Sequence, residues 1–332
     1  MSMRILVTDF AWQDLEIERR ILAPLNAEIL AAQTGDEDEL SKLATNVRGI
    51  FTNWKRVPRR VIEKSPSCQV IVRYGVGLDN IDVEFATEAG IMVANVPYYC
   101  IEEVSDHTLA LLLALTRKIA LFDRATKAGT YNLSAGTPMY RHRGRTLGLL
   151  GFGGIGQMVC RKAQGLGFNV IVHTRSNNSA SEVGARSVTF DDLISKSDYI
   201  SIHVPLTPAT RHLFRFEVFQ RMKPTALLIN TSRGDIVDRD GLLKALDEGI
   251  ISGAGLDVLS KEPPDSADRL LAHPNIIVTP HAAFNSEESL FDLRVTAATA
   301  MLRALSGTVP NHLVNPDVLR SPRLRFDLAS SL

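Results

Sequence analysis

Hydrophobic residues in the first hundred positions form short apolar runs, and amphipathic segments with helical spacing separate them. The runs have the length of buried strands, and the segments between them suit helices. The predicted strands are Arg4–Thr8, Glu28–Ala32, Gly49–Thr52, Gln69–Arg73 and Ile91–Asn95. The predicted helices are Asp14–Leu22, Glu37–Leu43, Pro58–Lys64 and Val83–Ala89. Such alternation is typical of a parallel sheet covered by helices on both faces.

The same alternation restarts at Thr146. The predicted strands are Thr146–Leu150, Asn169–His173, Tyr199–His203, Ala226–Asn230, Gly253–Asp257 and Ile276–Thr279, with helices between them and a last helix at Glu287–Leu305. Between the two patterned segments, Ile101–Phe122 is apolar on nearly every face, which predicts one long helix buried inside the protein or against a second subunit. The sequence therefore predicts the α/β class with two doubly wound parallel sheets.

Composition narrows the possible partners. The chain has 332 residues, of which 45% are hydrophobic and 22% charged, as in an ordinary globular protein of about two domains. Its 37 basic residues balance 37 acidic ones, so no global field attracts nucleic acid or an anionic membrane. The longest apolar run, Leu109–Leu115, is far shorter than the ~20 residues that span a bilayer. Three widely spaced cysteines predict neither disulfides nor a metal site. We therefore expect a cytoplasmic protein without nucleic-acid or membrane partners.

A glycine-rich turn is the strongest local motif. Gly151, Gly153 and Gly156 follow the apolar strand LGLL and precede the helical stretch QMVCRKAQGL. Gly151 permits a tight turn, Gly153 lets the backbone approach a pyrophosphate, and Gly156 lets the helix pack on the strand. This context predicts a dinucleotide-binding site, with the pyrophosphate at the helix N-terminus.

The residues after the next strand bear on cofactor choice. An NAD site usually has an acid there to bind the ribose hydroxyls, whereas this chain has Thr174, Arg175 and Ser176, with no acid until Glu182. An arginine can bind a 2′-phosphate. The sequence predicts a preference for NADP(H) over NAD(H); a solvated Arg175 with relaxed cofactor choice is the alternative.

Four polar residues follow later strands. Arg233, Asp257, Glu262 and His281 lie near the predicted carboxyl ends of their strands, where doubly wound sheets bind ligands. An arginine can bind a carboxylate, a histidine can transfer a proton at neutral pH, and an adjacent carboxylate orients the histidine. Each of these residues taken alone is more often structural than catalytic.

Six segments together resemble one family, the D-isomer-specific 2-hydroxyacid dehydrogenases, over about residues 40–316. They are RYGVGLDNID, GIMVANVPYYCIEEVSDHTLALLLAL, GRTLGLLGFGGIGQ, LINTSRGDIVD, GLDVLSKEPP and TPHAAF, in the family's order. The phosphoglycerate-dehydrogenase-like and C-terminal-binding-protein-like subgroup is the most similar. The resemblance implies two Rossmann-like domains with an active-site cleft between them. The substrate domain would comprise residues 1–100 and 286–332, and the dinucleotide-binding domain residues 101–285.

The same resemblance implies roles for individual residues. Arg233 would bind the substrate carboxylate and carbonyl, His281 would be the acid/base, and Glu262 its partner. Backbone amides at Val76 and Gly77 would also bind the substrate. The implied cofactor-binding residues, added to Gly151, Gly153, Gly156 and the Thr174–Ser176 segment, are Gly154, Ile155, Val204, Pro205, Thr231, Ser232 and Asp257.

The resemblance implies hydride transfer between a nicotinamide cofactor, NADP(H) in preference to NAD(H), and a D-2-hydroxy acid/2-oxo acid pair, such as glyoxylate, hydroxypyruvate or a phosphoglycerate-like substrate. Trp54, Tyr98, Tyr99 and Phe284 are candidates for shaping the substrate pocket, or else core aromatics. A dinucleotide-sensing co-repressor and a phosphite or formate dehydrogenase are the alternatives. We expect a homodimer formed through the apolar helix.

Overall fold

The computed structural model describes residues 3–175, 180 and 183–325. The chain divides into two compact units, Met1–Tyr99 with Ser286–Leu332, and Cys100–Asn285. The strands of the described residues are β1 Arg4–Val7, β2 Glu28–Ala31, β3 Gly49–Thr52, β4 Val70–Arg73, β5 Met92–Ala94, β6 Thr146–Leu150, β7 Asn169–His173, β8 Arg186–Ser187, β9 Tyr199–Ile202, β10 Leu227–Asn230, β11 Gly253–Leu256 and β12 Ile276–Val278.

The helices of the same residues are α1 Glu16–Leu22, α2 Glu37–Leu43, α3 Arg59–Glu63, α4 Val83–Glu88, α5 Ile101–Thr116, α6 Ile119–Lys127, α7 Gly154–Gly165, α8 Phe190–Lys196, α9 Phe216–Phe219, α10 Arg239–Asp247, α11 Arg269–Ala272 and α12 Glu287–Leu305. Each predicted strand is confirmed with its ends shifted by at most one residue. The two-residue strand β8 was not predicted, because it has too few residues to produce a hydrophobic pattern.

The first unit is built on a five-stranded parallel sheet with the order β2-β1-β3-β4-β5. The central strands β3 and β4 are buried at every position, as expected for strands with helices on both faces. α12 packs on this sheet through Leu293, Ala297 and Met301. It begins at Ser286, whose hydroxyl accepts a hydrogen bond from the Ser289 amide in a capping box.

The second unit is a seven-stranded parallel sheet with the order β12-β11-β10-β9-β6-β7-β8. Within this unit the chain begins at the interior strand β6, runs outward through β7 and β8, and then returns to β9 on the other side of β6. The loops after β6 and β9 therefore diverge at the carboxyl edge of the sheet, and this switch point is where doubly wound sheets bind ligands.

The predicted single helix over Ile101–Phe122 is wrong in one respect: it is two helices, α5 and α6. The chain breaks because Lys118 adopts a left-handed conformation, with a φ of 55°, which no α-helix can continue through. Leu109, Leu111, Leu112 and Leu115 of α5 are buried within their own unit. α6, by contrast, has no buried residue.

Among the described residues, none of the helices combines the length and apolar character that crossing a bilayer requires.

Candidate active site

The turn between β6 and α7 has the geometry that its glycines predict. Gly151 has a φ of 95°, and a Cβ on it would lie 2.5 Å from the carbonyl oxygen of His203. A Cβ on Gly156 would lie 2.6 Å from the Gly151 carbonyl oxygen, so the helix packs against the turn only because this residue has no side chain. Gly153 and Gly154 are exposed, and α7 begins directly after Gly153.

This turn fits a pyrophosphate. A Cβ on Gly153 would meet no described atom within 4 Å, so the backbone there is open to a ligand. The first amides of a helix have no partner within the helix and attract anions, and α7 presents such amides at the switch point. Ile155 lies in its first turn and is half-buried.

The other predicted cofactor residues of this edge follow the neighbouring strands. Val204 and Pro205 follow β9, and a Cβ on Gly151 would come within 2.9 Å of a Val204 methyl group, so the loops after β6 and β9 are adjacent. Thr174 and Arg175 follow β7; Thr174 is half-buried and Arg175 is exposed. Ser176 and Glu182 lie outside the described residues.

The loop after β10 presents Arg233. The fully buried Asn230 shapes this loop: its side-chain amide donates to the Arg233 carbonyl at 2.8 Å, and its side-chain oxygen accepts from the Ser232 amide at 3.0 Å. The Ser232 hydroxyl donates to the carbonyl of Ile202, at the end of β9, at 2.9 Å. These bonds tie the loop to β10 through Asn230 and to β9 through Ile202. Thr231 lies between Asn230 and Ser232 in this loop.

Gly234 brings the Arg233 loop against the loop that follows β11. A Cβ on Gly234 would lie 2.0 Å from the Leu259 carbonyl carbon and 2.3 Å from the Ser260 nitrogen. The two backbones touch here only because residue 234 has no side chain. Glu262 belongs to the second of these loops.

Glu262 and His281 form a close pair. Nδ1 of His281 lies 2.7 Å from Oε2 of Glu262, and Oε1 of Glu262 accepts a hydrogen bond from the Leu259 amide at 2.8 Å. Partial burial acts to raise the pKa of Glu262, but its hydrogen bond with His281, the charge of that ring and the nearby Arg233 guanidinium outweigh it and keep the pKa below the usual value of 4.5. The structure therefore pairs Glu262 with His281 and places the Arg233 charge within electrostatic reach of Glu262. The ring of Phe284 lies edge-on to His281, with centroids 6.2 Å apart.

Asp257 has a structural role that the sequence did not reveal. It is 1% exposed, and its Oδ1 accepts from the Thr279 hydroxyl at 2.5 Å and from the Ala282 amide at 2.9 Å, while Oδ2 accepts from the Ala283 amide at 2.9 Å. The His281 amide donates to the Asp257 carbonyl at 2.8 Å, and His281 has a φ of 54°. Asp257 thus holds the turn that presents His281. Its place directly after a buried strand is the only signal in the sequence. Its predicted contact with the cofactor stays a prediction.

The remaining predicted residues of the substrate site lie mostly in the first unit. Val76 and Gly77 follow β4; Val76 is exposed, and its carbonyl accepts a hydrogen bond from Asn95 at 2.8 Å. Trp54 and Tyr98 are exposed, whereas Tyr99 packs on the hydrophobic core of that unit. Their roles toward a substrate stay predictions.

Comparison with known proteins identifies the family. The family model described as D-isomer specific 2-hydroxyacid dehydrogenase, NAD binding domain, matches residues 109–283, which is more than half of the chain. The chain belongs to this family. It is also 38% identical over 304 residues to a glyoxylate reductase of Korarchaeum cryptofilum, covering 90% of this chain and 89% of the relative.

Solved structures agree. An acyclic imino acid reductase in complex with NADPH and D-Arg has a TM-score of 0.86 and 26% identity, covering 94% of this chain and all of that one. The D-lactate dehydrogenase of Aquifex aeolicus, complexed with NAD and lactic acid, has a TM-score of 0.84 and 26% identity over 92% of this chain and 96% of that one. The protein is an NAD(P)-dependent oxidoreductase of the 2-hydroxy acid/2-oxo acid class, as the sequence predicts.

Proposed function

We propose that this dehydrogenase interconverts a short 2-oxo acid, of the glyoxylate or hydroxypyruvate type, and its 2-hydroxy acid. The Glu262–His281 pair beside Arg233 carries the proposal, because it combines a proton donor with a carboxylate-binding cation. The relative named glyoxylate reductase, matched over 90% of this chain, supports a small substrate.

Each residue then has a separate task. Arg233 binds the substrate carboxylate and polarises the adjacent carbonyl. His281 donates a proton to the carbonyl oxygen during reduction and removes it during oxidation, while Glu262 holds the ring by the 2.7 Å hydrogen bond at Nδ1. That bond leaves Nε2 as the atom that exchanges the proton. A bound nicotinamide supplies or accepts the hydride. Val76 and Gly77 are assigned to the substrate carboxylate through their backbone amides.

Two alanine variants test these roles. His281→Ala removes the proton donor and should lower kcat by about 10²–10⁴-fold, the usual contribution of acid–base catalysis. Arg233→Ala should raise KM for the 2-oxo acid and lower kcat, because it both binds and polarises the substrate. A panel of 2-oxo acids with NADPH or NADH, followed by absorbance, measures both. Wild-type rates in either variant would overturn the assignment, and cofactor binding without turnover of any 2-oxo acid would favour a dinucleotide sensor.

The cofactor preference is for NADP(H). Arg175 after β7 is exposed, the sequence has no acidic residue between it and Glu182, and its guanidinium suits a 2′-phosphate. Arg175→Ala should raise KM for NADPH by about 10-fold, the worth of one charge-assisted contact of ~1.4 kcal/mol, and leave KM for NADH unchanged. A wild-type enzyme that prefers NADH would contradict the proposal.

The two units divide the work. The unit Cys100–Asn285 is assigned as the dinucleotide-binding domain, since it contains the glycine-rich turn and spans all of the predicted cofactor residues. The unit of Met1–Tyr99 with Ser286–Leu332 is assigned as the substrate domain. A cytoplasmic location is part of the same proposal.

A homodimer is proposed through α6 and the segment after it, because the apolar face of α5 is already buried in its own unit. Tyr131 is 94% exposed, Leu133 is 87% exposed, and Ile119 and Tyr140 are also exposed. Such a concentration of large apolar side chains on one segment suits an interface with a second copy. Sedimentation should find a dimer at micromolar concentration and a monomer for Leu133→Glu. A monomeric wild type would refute the interface.

A further inference from the structure

His107, on α5, contacts the loop that carries the proposed proton donor. Its Nε2 lies 2.9 Å from the Thr279 hydroxyl oxygen, and that hydroxyl donates to the buried carboxylate of Asp257 at 2.5 Å. Since the Thr279 hydroxyl has one hydrogen and gives it to Asp257, it accepts from an Nε2–H group of His107. His107 therefore supports the carboxylate that holds the turn at His281, although it is 172 positions away from Thr279 in the chain.

Thr108, the next residue of α5, contacts the other catalytic loop. Its hydroxyl lies 3.0 Å from the hydroxyl of Thr231, two residues before Arg233, and Thr108 is 1% exposed. α5 comes this close to the sheet because Gly255 of β11 has no side chain: a Cβ there would lie 3.2 Å from Leu111 and 3.3 Å from Leu115. One helix thus reaches the loops after β10 and β12 with adjacent residues.

We infer that His107 and Thr108 are positioning residues for the reaction. His107 fixes the loop that presents His281, and Thr108 fixes the loop that presents Arg233, so that α5 sets the separation of the proton donor and the carboxylate anchor. The inference rests on the proposed function, which assigns those two roles. It adds residues outside the site predicted from the sequence, on a helix that precedes the glycine-rich turn.

The two contacts make different kinetic predictions. His107→Leu removes the donor to Thr279, displaces the proton donor and should lower kcat by about 10- to 100-fold, with KM for the 2-oxo acid changed less than about 3-fold. Thr108→Val removes the hydroxyl at constant shape, loosens the Arg233 loop and should raise KM for the 2-oxo acid by about 10-fold or more, with a smaller change in kcat. A general loss of stability would not lower mainly kcat in one variant and raise mainly KM in the other.

Conservative variants and a control on the same helix make the test specific. His107→Gln keeps an N–H donor at the same reach, and Thr108→Ser keeps the hydroxyl, so each should recover most of the lost parameter. Thr116→Val is the control: among the described residues the Thr116 hydroxyl bonds only to the Leu113 carbonyl of α5, so this variant should leave kcat and KM unchanged. Equal kinetics for His107→Leu and His107→Gln, or for Thr108→Val and Thr108→Ser, would overturn the inference.

Crystal structures of the His107→Leu and His107→Gln proteins give a readout that does not need turnover. The His281 Nδ1–Glu262 Oε2 distance, 2.7 Å in the wild type, should lengthen in His107→Leu and stay the same in His107→Gln. An unmoved His281 in His107→Leu would refute the positioning role even if the wild type reduced no 2-oxo acid. Absent turnover in the wild type, with His281 displaced as expected, would instead reject the proposed function alone.

Discussion

Replacing Gly234 by alanine tests whether the contact between the Arg233 and Glu262 loops sets the active-site geometry. The added Cβ would lie 2.0 Å from the Leu259 carbonyl carbon, 2.3 Å from the Leu259 oxygen and 2.3 Å from the Ser260 nitrogen. All three are backbone atoms, so no side-chain rotation can relieve the overlap. Carbon atoms pack at about 3.5–4.0 Å, and the two loops would therefore have to separate by about 1.5 Å.

This separation sets the expected magnitude. Overpacking against a rigid neighbour costs about 1–3 kcal/mol, and the backbone on both sides places Gly234→Ala at the upper end. For a domain of this size, about 3 kcal/mol lowers Tm by roughly 6–12 °C. A misplacement of ~1 Å in the reacting groups costs about 10²-fold in rate, so kcat should fall by about that factor.

Thermal unfolding by circular dichroism and steady-state kinetics measure the two effects. Gly165→Ala is the matched control, since Gly165 ends α7 and a Cβ there would meet no described atom within 4 Å. Alanine is up to about 1 kcal/mol better than glycine in a helix, so the control should keep its kcat and its Tm should stay the same or rise. A Gly234→Ala protein with wild-type Tm and kcat would show that the loops move apart freely, and the reasoning would be wrong.

Three further predictions follow from individual side chains. Glu262→Gln should lower kcat at every pH. In the wild type the lowered pKa of Glu262 keeps its carboxylate charged to below pH 4.5, so activity that depends on the Glu262–His281 pair is lost only as the pH falls through that lowered pKa. The pH–rate profile of the variant should lack this loss of activity at acid pH. Burial lowers the pKa of the His203 side chain from 6.5 to about 4, so the folded state is stabilised by neutral His203 above pH 6.5 and loses that stabilisation by about pH 4. Urea unfolding should show that the free energy of unfolding falls by about 3 kcal/mol over this range. The same fall in a His203→Gln protein would show that His203 is not its cause. Asp257→Asn should speed amide hydrogen exchange at residues 282 and 283, since one oxygen acceptor is replaced by a donor. Asp198→Asn, at another buried aspartate, should leave exchange at these two residues unchanged. Unchanged exchange in Asp257→Asn would refute the role of Asp257 in the turn.

The sequence by itself determined the elements and the local turns. Apolar runs of strand length predict each long strand of both sheets, because burial on both faces requires continuous hydrophobic residues. Gly151 and Gly156 were also predictable, because a tight turn followed by a closely packed helix leaves no room for a side chain at either position. Both glycines lie within six consecutive residues, so the motif is visible in the sequence. The family motifs also pointed to Arg233, Glu262 and His281. They gave the identity and chain order of these residues, but not the distances between them.

Only the tertiary structure decided how these loops meet. Strand order brings residues after β10, β11 and β12 to one edge, and contact across that edge depends on Gly234 and on the buried carboxylate of Asp257. The break at Lys118 and the bond between His107 and Thr279 have no local pattern. Hydrophobic periodicity reports which face of one element is buried, whereas a hydrogen bond between elements far apart in the chain depends on how the whole sheet and its helices pack.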